Sequence, residues 1–264
     1  SLNDKQEVAI SQDGQKEAME HAGRTGGLPF VGVGWYRTEF DVPQFQAGKR
    51  ATILFDGAMS HANVYINGQK VGYWPYGYNS FHFDITKYLK PGEKNTLAVR
   101  LENLPESSRW YPGAGLYRNV HLIITEDAYI PVWGTYITTP SVNEKFAKVN
   151  VRTKVVLPEG ADPAKYSVET SVWNPNKQKL TAVRTSLAQM KYNNNQAEQE
   201  FVIQAPSLWS PEMPALYSAE TRLYEGDKLK DIYTTPFGIR SIEIIPDKGF
   251  FLNGCLLYTS PSPR

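Results

Sequence analysis

The residues of this chain best suited to chemistry sit in one run, Asn103-Leu104-Pro105-Glu106-Ser107-Ser108-Arg109-Trp110-Tyr111-Pro112-Gly113-Ala114-Gly115-Leu116-Tyr117-Arg118. An indole face stacks on the apolar face of a pyranose, and a guanidinium fork donates in-plane hydrogen bonds to hydroxyls or a carboxylate. Arg109 and Trp110, adjacent in the run, supply both groups. The run lies between two segments that read as strands, and loops held by a rigid scaffold are where binding residues concentrate. A second reading has Trp110 and Tyr111 packing the end of a sandwich while Arg109 pairs with a local acid. Glu102 and Glu106 read as solvated carboxylates, at a strand end and in the loop, and not as a catalytic pair.

Other chemistries find no support. Four scattered histidines, His21, His61, His82 and His121, show no ligand spacing, and one cysteine, Cys255, makes neither an internal disulfide nor an all-cysteine metal site. No structural metal and no cofactor are expected. His61 and His82 read as paired or solvated, and His121 as an outward-facing strand residue. Gly32-Val33-Gly34 is not a nucleotide loop, because a Trp-Tyr strand follows it instead of a helix. No nucleophile elbow or Ser/His/Asp order is present. A formal net charge of +1 gives no long-range field to collect nucleic acid or an acidic membrane surface. No apolar stretch is long enough to span a bilayer as a helix. The chain opens Ser1-Leu2-Asn3-Asp4, without an initiator Met or a charged-then-apolar leader, so no secretory signal is read from it.

The elements that must position these residues are strands. With 264 residues the chain has room for two domains, and short runs of period-2 alternation broken by turn residues predict an almost all-β fold. Tyr36, Thr38, Phe40 and Val42 share one face of a strand that Pro43 ends, with Arg37, Glu39 and Asp41 on the other. Ala51–Phe55, Phe81–Ile85, Leu97–Leu101 and Tyr117–Thr125 read as further strands. Val64-Tyr65-Ile66, Asn67-Gly68 and Val71 predict a hairpin, since Asn-Gly tolerates the positive φ values of a type I′ turn. Gln12–His21 has too little apolar content for a buried helix and reads as a loop or surface turn. After Asp127 the pattern restarts with seven candidates: Val132–Thr138, Ala147–Val156, Tyr166–Trp173, Gln178–Leu187, Ala197–Ile203, Ala215–Tyr224 and Leu229–Thr234. That count and spacing predict an immunoglobulin-like sandwich. Asn193-Asn194-Asn195 reads as a loop tip. Pro236–Ile245 leads through Pro246-Asp247-Lys248-Gly249 to Phe250-Phe251-Leu252-Asn253-Gly254, a hairpin-like opening of a third unit. The last ten residues, Cys255 to Arg264, share no pattern with the rest and resemble the translation of a transposon-end adapter used in DNA library preparation; they are read as a non-native tail.

Gly34-Trp35-Tyr36-Arg37 opening a strand, Phe55-Asp56-Gly57, Val64 to Gly68 with Gly72 after it, Phe83-Asp84-Ile85-Thr86, Gly92 to Val99, and Arg109-Trp110-Tyr111 running to Tyr117-Arg118 resemble, in order and spacing, the sugar-binding jelly-roll domain of glycoside hydrolase family 2 β-galactosidases. Pro236-Phe237-Gly238-Ile239-Arg240 and Phe250 to Gly254 resemble the passage from that family's immunoglobulin-like domain into its catalytic barrel. The resemblance implies an all-β chain: a jelly-roll β-sandwich over residues 1–127, an immunoglobulin-like β-sandwich over 128–240, and the start of a (β/α)₈ barrel over 241–254. It also implies that the two glutamates of a retaining double displacement lie on the missing barrel, downstream of Gly254. The first domain then contributes sugar contacts at the pocket edge, with Arg109 the first candidate, Trp110 the second and Asn103 the third. The implied partners are a β-galactoside and the chain's own barrel, with no nucleic acid and no membrane, in a parent that the resemblance allows to be homo-oligomeric and exported to the periplasm or beyond the cell. β-Glucuronidase and β-mannosidase share the architecture. A free-standing carbohydrate-binding module and a structural adhesive sandwich are the alternatives from other classes.

Overall fold

Alternation with a two-residue period puts one face of each strand inward, and it becomes a nearly all-β architecture in a computed structural model that describes residues 32–44, 48–103, 115–189 and 196–257. Arg109, Trp110, Gln12–His21 and Asn193–Asn195 lie outside the described residues. The chain divides into two compact units, Ser1–Thr125 and Glu126–Arg264.

In the first unit the strands are β1 (Gly32–Asp41), β2 (Arg50–Phe55), β3 (Ala62–Ile66), β4 (Gln69–Trp74), β5 (Phe81–Asp84), β6 (Lys94–Asn103) and β7 (Val120–Thr125). They form two antiparallel sheets, ordered β1-β6-β3-β4 and β5-β2-β7. Inward positions of both sheets build the core: Ile53, Phe55, Val64, Ile66, Phe81 and Val99 are all buried, and each contributes about 1.5–3 kcal/mol by leaving water. Phe81 stacks on Phe55 with ring centroids 4.8 Å apart and on Trp74 at 5.6 Å. The β3–β4 connection is the expected Asn-Gly turn, with φ of 50° at Asn67 and 80° at Gly68. Along β1 the expected apolar face reaches the core only at Phe40 and, just past the strand, Val42. Tyr36 stays 42% exposed because β1 is the edge of its sheet. β7 begins three residues later than the alternation predicts. Tyr117 instead donates its hydroxyl to Gly77 O at 2.8 Å, and Arg118 lies over the Tyr117 ring.

In the second unit the strands are β8 (Thr135–Val142), β9 (Phe146–Lys154), β10 (Tyr166–Trp173), β11 (Lys179–Ser186), β12 (Gln196–Gln204), β13 (Tyr217–Glu225) and β14 (Lys228–Phe237). A four-stranded sheet, β11-β10-β13-β14, and a three-stranded sheet, β12-β9-β8, give the seven strands of an immunoglobulin-like sandwich among the described residues. Each of the seven expected strands is present, β10 with the expected ends and the other six with shifted ones. β8 starts at Thr135 and not at Val132, because Trp133 takes a φ of 57° and Gly134 N donates back to Pro131 O at 2.7 Å. Two apolar clusters fill the interior, one around Val155, Val168 and Leu223 and one around Val149, Val172 and Phe201. Buried polar side chains accompany them: the Thr170 and Thr221 hydroxyls are 3.2 Å apart, and Gln199 Nε2 reaches Val168 O, Val183 O and Thr185 Oγ1 in the opposite sheet. The expected hairpin-like opening of a third unit is a small meander, β15 (Ile242–Ile245), β16 (Gly249–Leu252) and β17 (Cys255–Leu256). Its second turn uses Asn253-Gly254 with φ of 51° and 77°. Cys255 and Leu256 pair with Leu252 and Phe251.

Candidate functional site

Residues 104–114, which include Arg109 and Trp110, lie in sequence between the last residue of β6 and Gly115. Asn103, the last residue of β6, stands opposite Gly32 at the start of β1. The two ends of the segment are tied to two neighbouring residues, one to Ser60 and the other to Met59. At the outgoing end Ser60 Oγ donates to Glu102 O at 2.7 Å, and Glu102 N donates to Ser60 O at 2.9 Å. At the returning end Met59 N donates to Gly115 O at 3.1 Å, and Gly115 N to Met59 O at 3.0 Å. Met59 and Ser60 are themselves buried, so the anchor is part of the packed sandwich. Gly115 holds a φ of 92°, and a Cβ there would run into the Tyr36 hydroxyl. The close approach and the left-handed backbone together require glycine.

Beside this anchor the outer face of the β1-β6-β3-β4 sheet carries a row of four side chains in register, Trp35, Arg100, Asn63 and Tyr73, one from each strand. Directly opposed residues of neighbouring strands share a face, and the interleaved residues Val64 and Val99 are the buried ones. Trp35 is 60% exposed, and its ring lies 5.6 Å from that of Tyr65. Arg100 Nη1 is ion-paired with Glu102 Oε1. His61 Nδ1 lies 2.6 Å from the Tyr73 hydroxyl, and Asn63 Nδ2 donates to His61 O at 3.1 Å.

Glu102 is not the free, solvated carboxylate that its place at a strand end suggested. Only 27% of its side chain is exposed, because alternation puts residues 100 and 102 on one face. The hydrogen bond from Arg100, aided by the charges of Arg100 and His61 and opposed by desolvation, holds its carboxyl below the usual carboxylate range. A glycosidic general acid needs the opposite shift, so Glu102 is a fixed anion and not a proton donor. His61 is paired, as expected, and His121 faces outward on β7 with Nε2 3.0 Å from Asp56 Oδ2. Among the described residues no three His, Cys, Asp or Glu side chains come together to hold a metal. A cavity of about 520 Å³ in the second unit, lined by Leu180, Met213 and Tyr217 among others, has no carboxylate in its wall. No local pattern marks Met59 and Ser60, whose partners are 42 or more residues distant. The Arg100–Glu102 pair was readable from strand alternation alone.

Two β-sandwiches in series, the first with aromatic, guanidinium and amide side chains on the outer face of its four-stranded sheet, define the class of architecture. Residues 29–126 match the model of the glycosyl hydrolases family 2 sugar-binding domain, and residues 129–240 match a second model of glycosyl hydrolases family 2. Between them these take in most of the chain, which belongs to glycoside hydrolase family 2. It is 40% identical over 240 residues to β-galactosidase BoGH2A of Bacteroides ovatus, covering 90% of this chain and 28% of that protein. It is 34% identical to a β-glucuronidase of Bacteroides fragilis, covering 84% of this chain and 33% of that one. The crystal structure of a family 2 member from Bacteroides cellulosilyticus superposes with a TM-score of 0.77 at 33% identity, covering 86% of this chain and 29% of the other. The chain thus spans about a third or less of the length of these relatives.

Proposed function

We propose that this chain is the non-catalytic, sugar-facing N-terminal portion of a retaining glycoside hydrolase that removes terminal β-galactosyl residues. The 40% identity to a β-galactosidase over 90% of the chain carries this reading. In it residues 1–127 are the jelly-roll domain, 128–240 the immunoglobulin-like domain, 241–254 the entry to a barrel, and 255–264 a non-native tail. The barrel supplies two glutamates, one attacking the anomeric carbon to form a glycosyl-enzyme and one protonating the leaving oxygen and then activating water. Arg109, Trp110 and Asn103 contact the sugar at the edge of that pocket. The clamp at Met59 and Ser60 supports this role, since a segment fixed at both stems places its tip with little loss of freedom on binding.

The 34% identity to a β-glucuronidase favours a second reading, in which Arg109 meets a substrate carboxylate. A panel of nitrophenyl glycosides tested on the full-length enzyme separates the two: fastest turnover of the β-galactoside supports the first, and fastest turnover of the glucuronide replaces it. Arg109→Ala in that enzyme is expected to lower kcat/KM by roughly 10²-fold or more with an unchanged Tm. A fall in Tm with normal kinetics returns Arg109 to a packing role.

A further inference from the structure

We propose that the outer face of the β1-β6-β3-β4 sheet is a second carbohydrate-binding surface, a platform for a short hexopyranosyl chain, distinct from the 104–114 segment. It goes beyond the function proposed above and uses only described residues. Four strands spaced about 4.8 Å apart make the row Trp35, Arg100, Asn63, Tyr73 roughly 14 Å across. That length suits several linked sugar rings better than one.

The row sets stacking surface at its two ends and hydrogen-bonding groups between them. Trp35, at 60% exposure, and Tyr73, at 46%, offer rings at the two ends of the row. Between them lie the Arg100 guanidinium and the Asn63 amide. An indole left this exposed forgoes much of the burial that drives Trp inward, and Tyr65 beside it widens the apolar patch. The polar groups are fixed in advance: Glu102 holds Arg100, and His61 holds the Tyr73 hydroxyl. A guanidinium has five N–H donors and a carboxylate about four lone-pair sites, so their mutual pairing uses only part of either. Donors and acceptors side by side on one sheet face match the vicinal hydroxyls of a pyranose, whose C–H face then lies on the ring. Charge compensation within the Arg100–Glu102 pair suits a neutral hexose. Membership of a sugar-binding domain family adds a reason, independent of the geometry, to place carbohydrate here in preference to a protein partner.

The test is titration of the 264-residue chain with lactose and with cellobiose, followed by calorimetry and by amide chemical-shift changes. Saturable binding of about millimolar Kd is expected, with shifts centred on Trp35, Asn63 and Arg100. Trp35→Ala is expected to weaken it by roughly tenfold or more without lowering Tm, since the ring is mostly in water. Arg109→Ala and Trp110→Ala should leave it unchanged, which separates failure here from failure of the pocket-edge role. No saturable binding of either sugar overturns the proposal. So does binding that survives Trp35→Ala, or that is lost with Trp110→Ala instead. Concentration-dependent dimerisation abolished by Trp35→Ala would also overturn it, making the face a protein interface.

Discussion

Replacing Gly115 by Ala probes the anchor of the candidate site at its tightest point. Gly115 has a φ of 92° and exchanges two backbone hydrogen bonds with Met59. An L-residue held in that region costs about 1–3 kcal/mol. The added Cβ would also overlap the Tyr36 hydroxyl and lie 3.2 Å from Tyr36 Cζ. Tyr36 sits on an edge strand and is 42% exposed, so it can swing aside for roughly 0.5–1.5 kcal/mol. The expected loss is therefore about 2–4 kcal/mol, a fall of roughly 10 °C or more in the Tm of a unit this size. Urea denaturation followed by Trp fluorescence measures it. Tyr36→Phe in the Gly115→Ala background removes the overlapping atom, and is expected to restore only the smaller share. A Gly115→Ala chain within about 0.5 kcal/mol of the parent would refute the left-handed backbone. A double variant no better than Gly115→Ala, after correction for Tyr36→Phe alone, would refute the packing of Tyr36 on the loop stem.

Three further outcomes follow from packing and charge. Asn67 has a φ of 50°, donates from Nδ2 to Tyr88 O and Asn95 Oδ1, and accepts from Thr96 N; Asn67→Ala should cost about 2–4 kcal/mol in denaturant titration, and Asn67→Gly less, because it relieves the backbone term alone. Asp231 is part-buried and accepts from Ile130 N at 2.8 Å, and burial pushes its pKa up against the pull of the backbone N–H groups of Ile130 and Ile232. A carboxyl raised in the folded state gives stability that is fully present below its unfolded pKa and lost as pH rises through the folded one. Asp231→Asn should therefore stabilise the second unit at neutral pH, and the gain should vanish in melts below about pH 3.5. Gln199→Met strips the cross-sheet contacts to Val168 O, Val183 O and Thr185; a loss of about 1–3 kcal/mol is expected in the same melts, and an unchanged Tm would mean the opposite sheet needs no polar tie.

How much of this was legible depended on the range of the interaction. Strand identity is written locally: the β3–β4 hairpin is fixed by Asn67-Gly68, and each strand of the second sandwich is marked by its alternation. Strand ends were less legible because side-chain bonds overrode the pattern. Tyr117 looks like a strand residue until its hydroxyl is seen to reach Gly77, 40 residues upstream. The site divides along the same line. Arg100 and Glu102 sit two apart on one strand, so alternation alone puts them together. No local rule brings Met59 and Ser60 to the stems of a segment that begins more than forty residues later, because neither residue has a propensity for that role. What fixes them is the order β1-β6-β3-β4, which lays the start of β3 beside the end of β6. The anchor is thus a consequence of strand order, and it holds the stems on either side of residues 104–114 whatever the sequence between them. Ser60→Ala tests that division of labour: in the full-length enzyme it should lower kcat/KM more than Tm, because it removes one of the two hydrogen bonds at the outgoing stem and leaves the core packing intact. Equal loss of stability and activity would mean that the stem and the core are one cooperative unit.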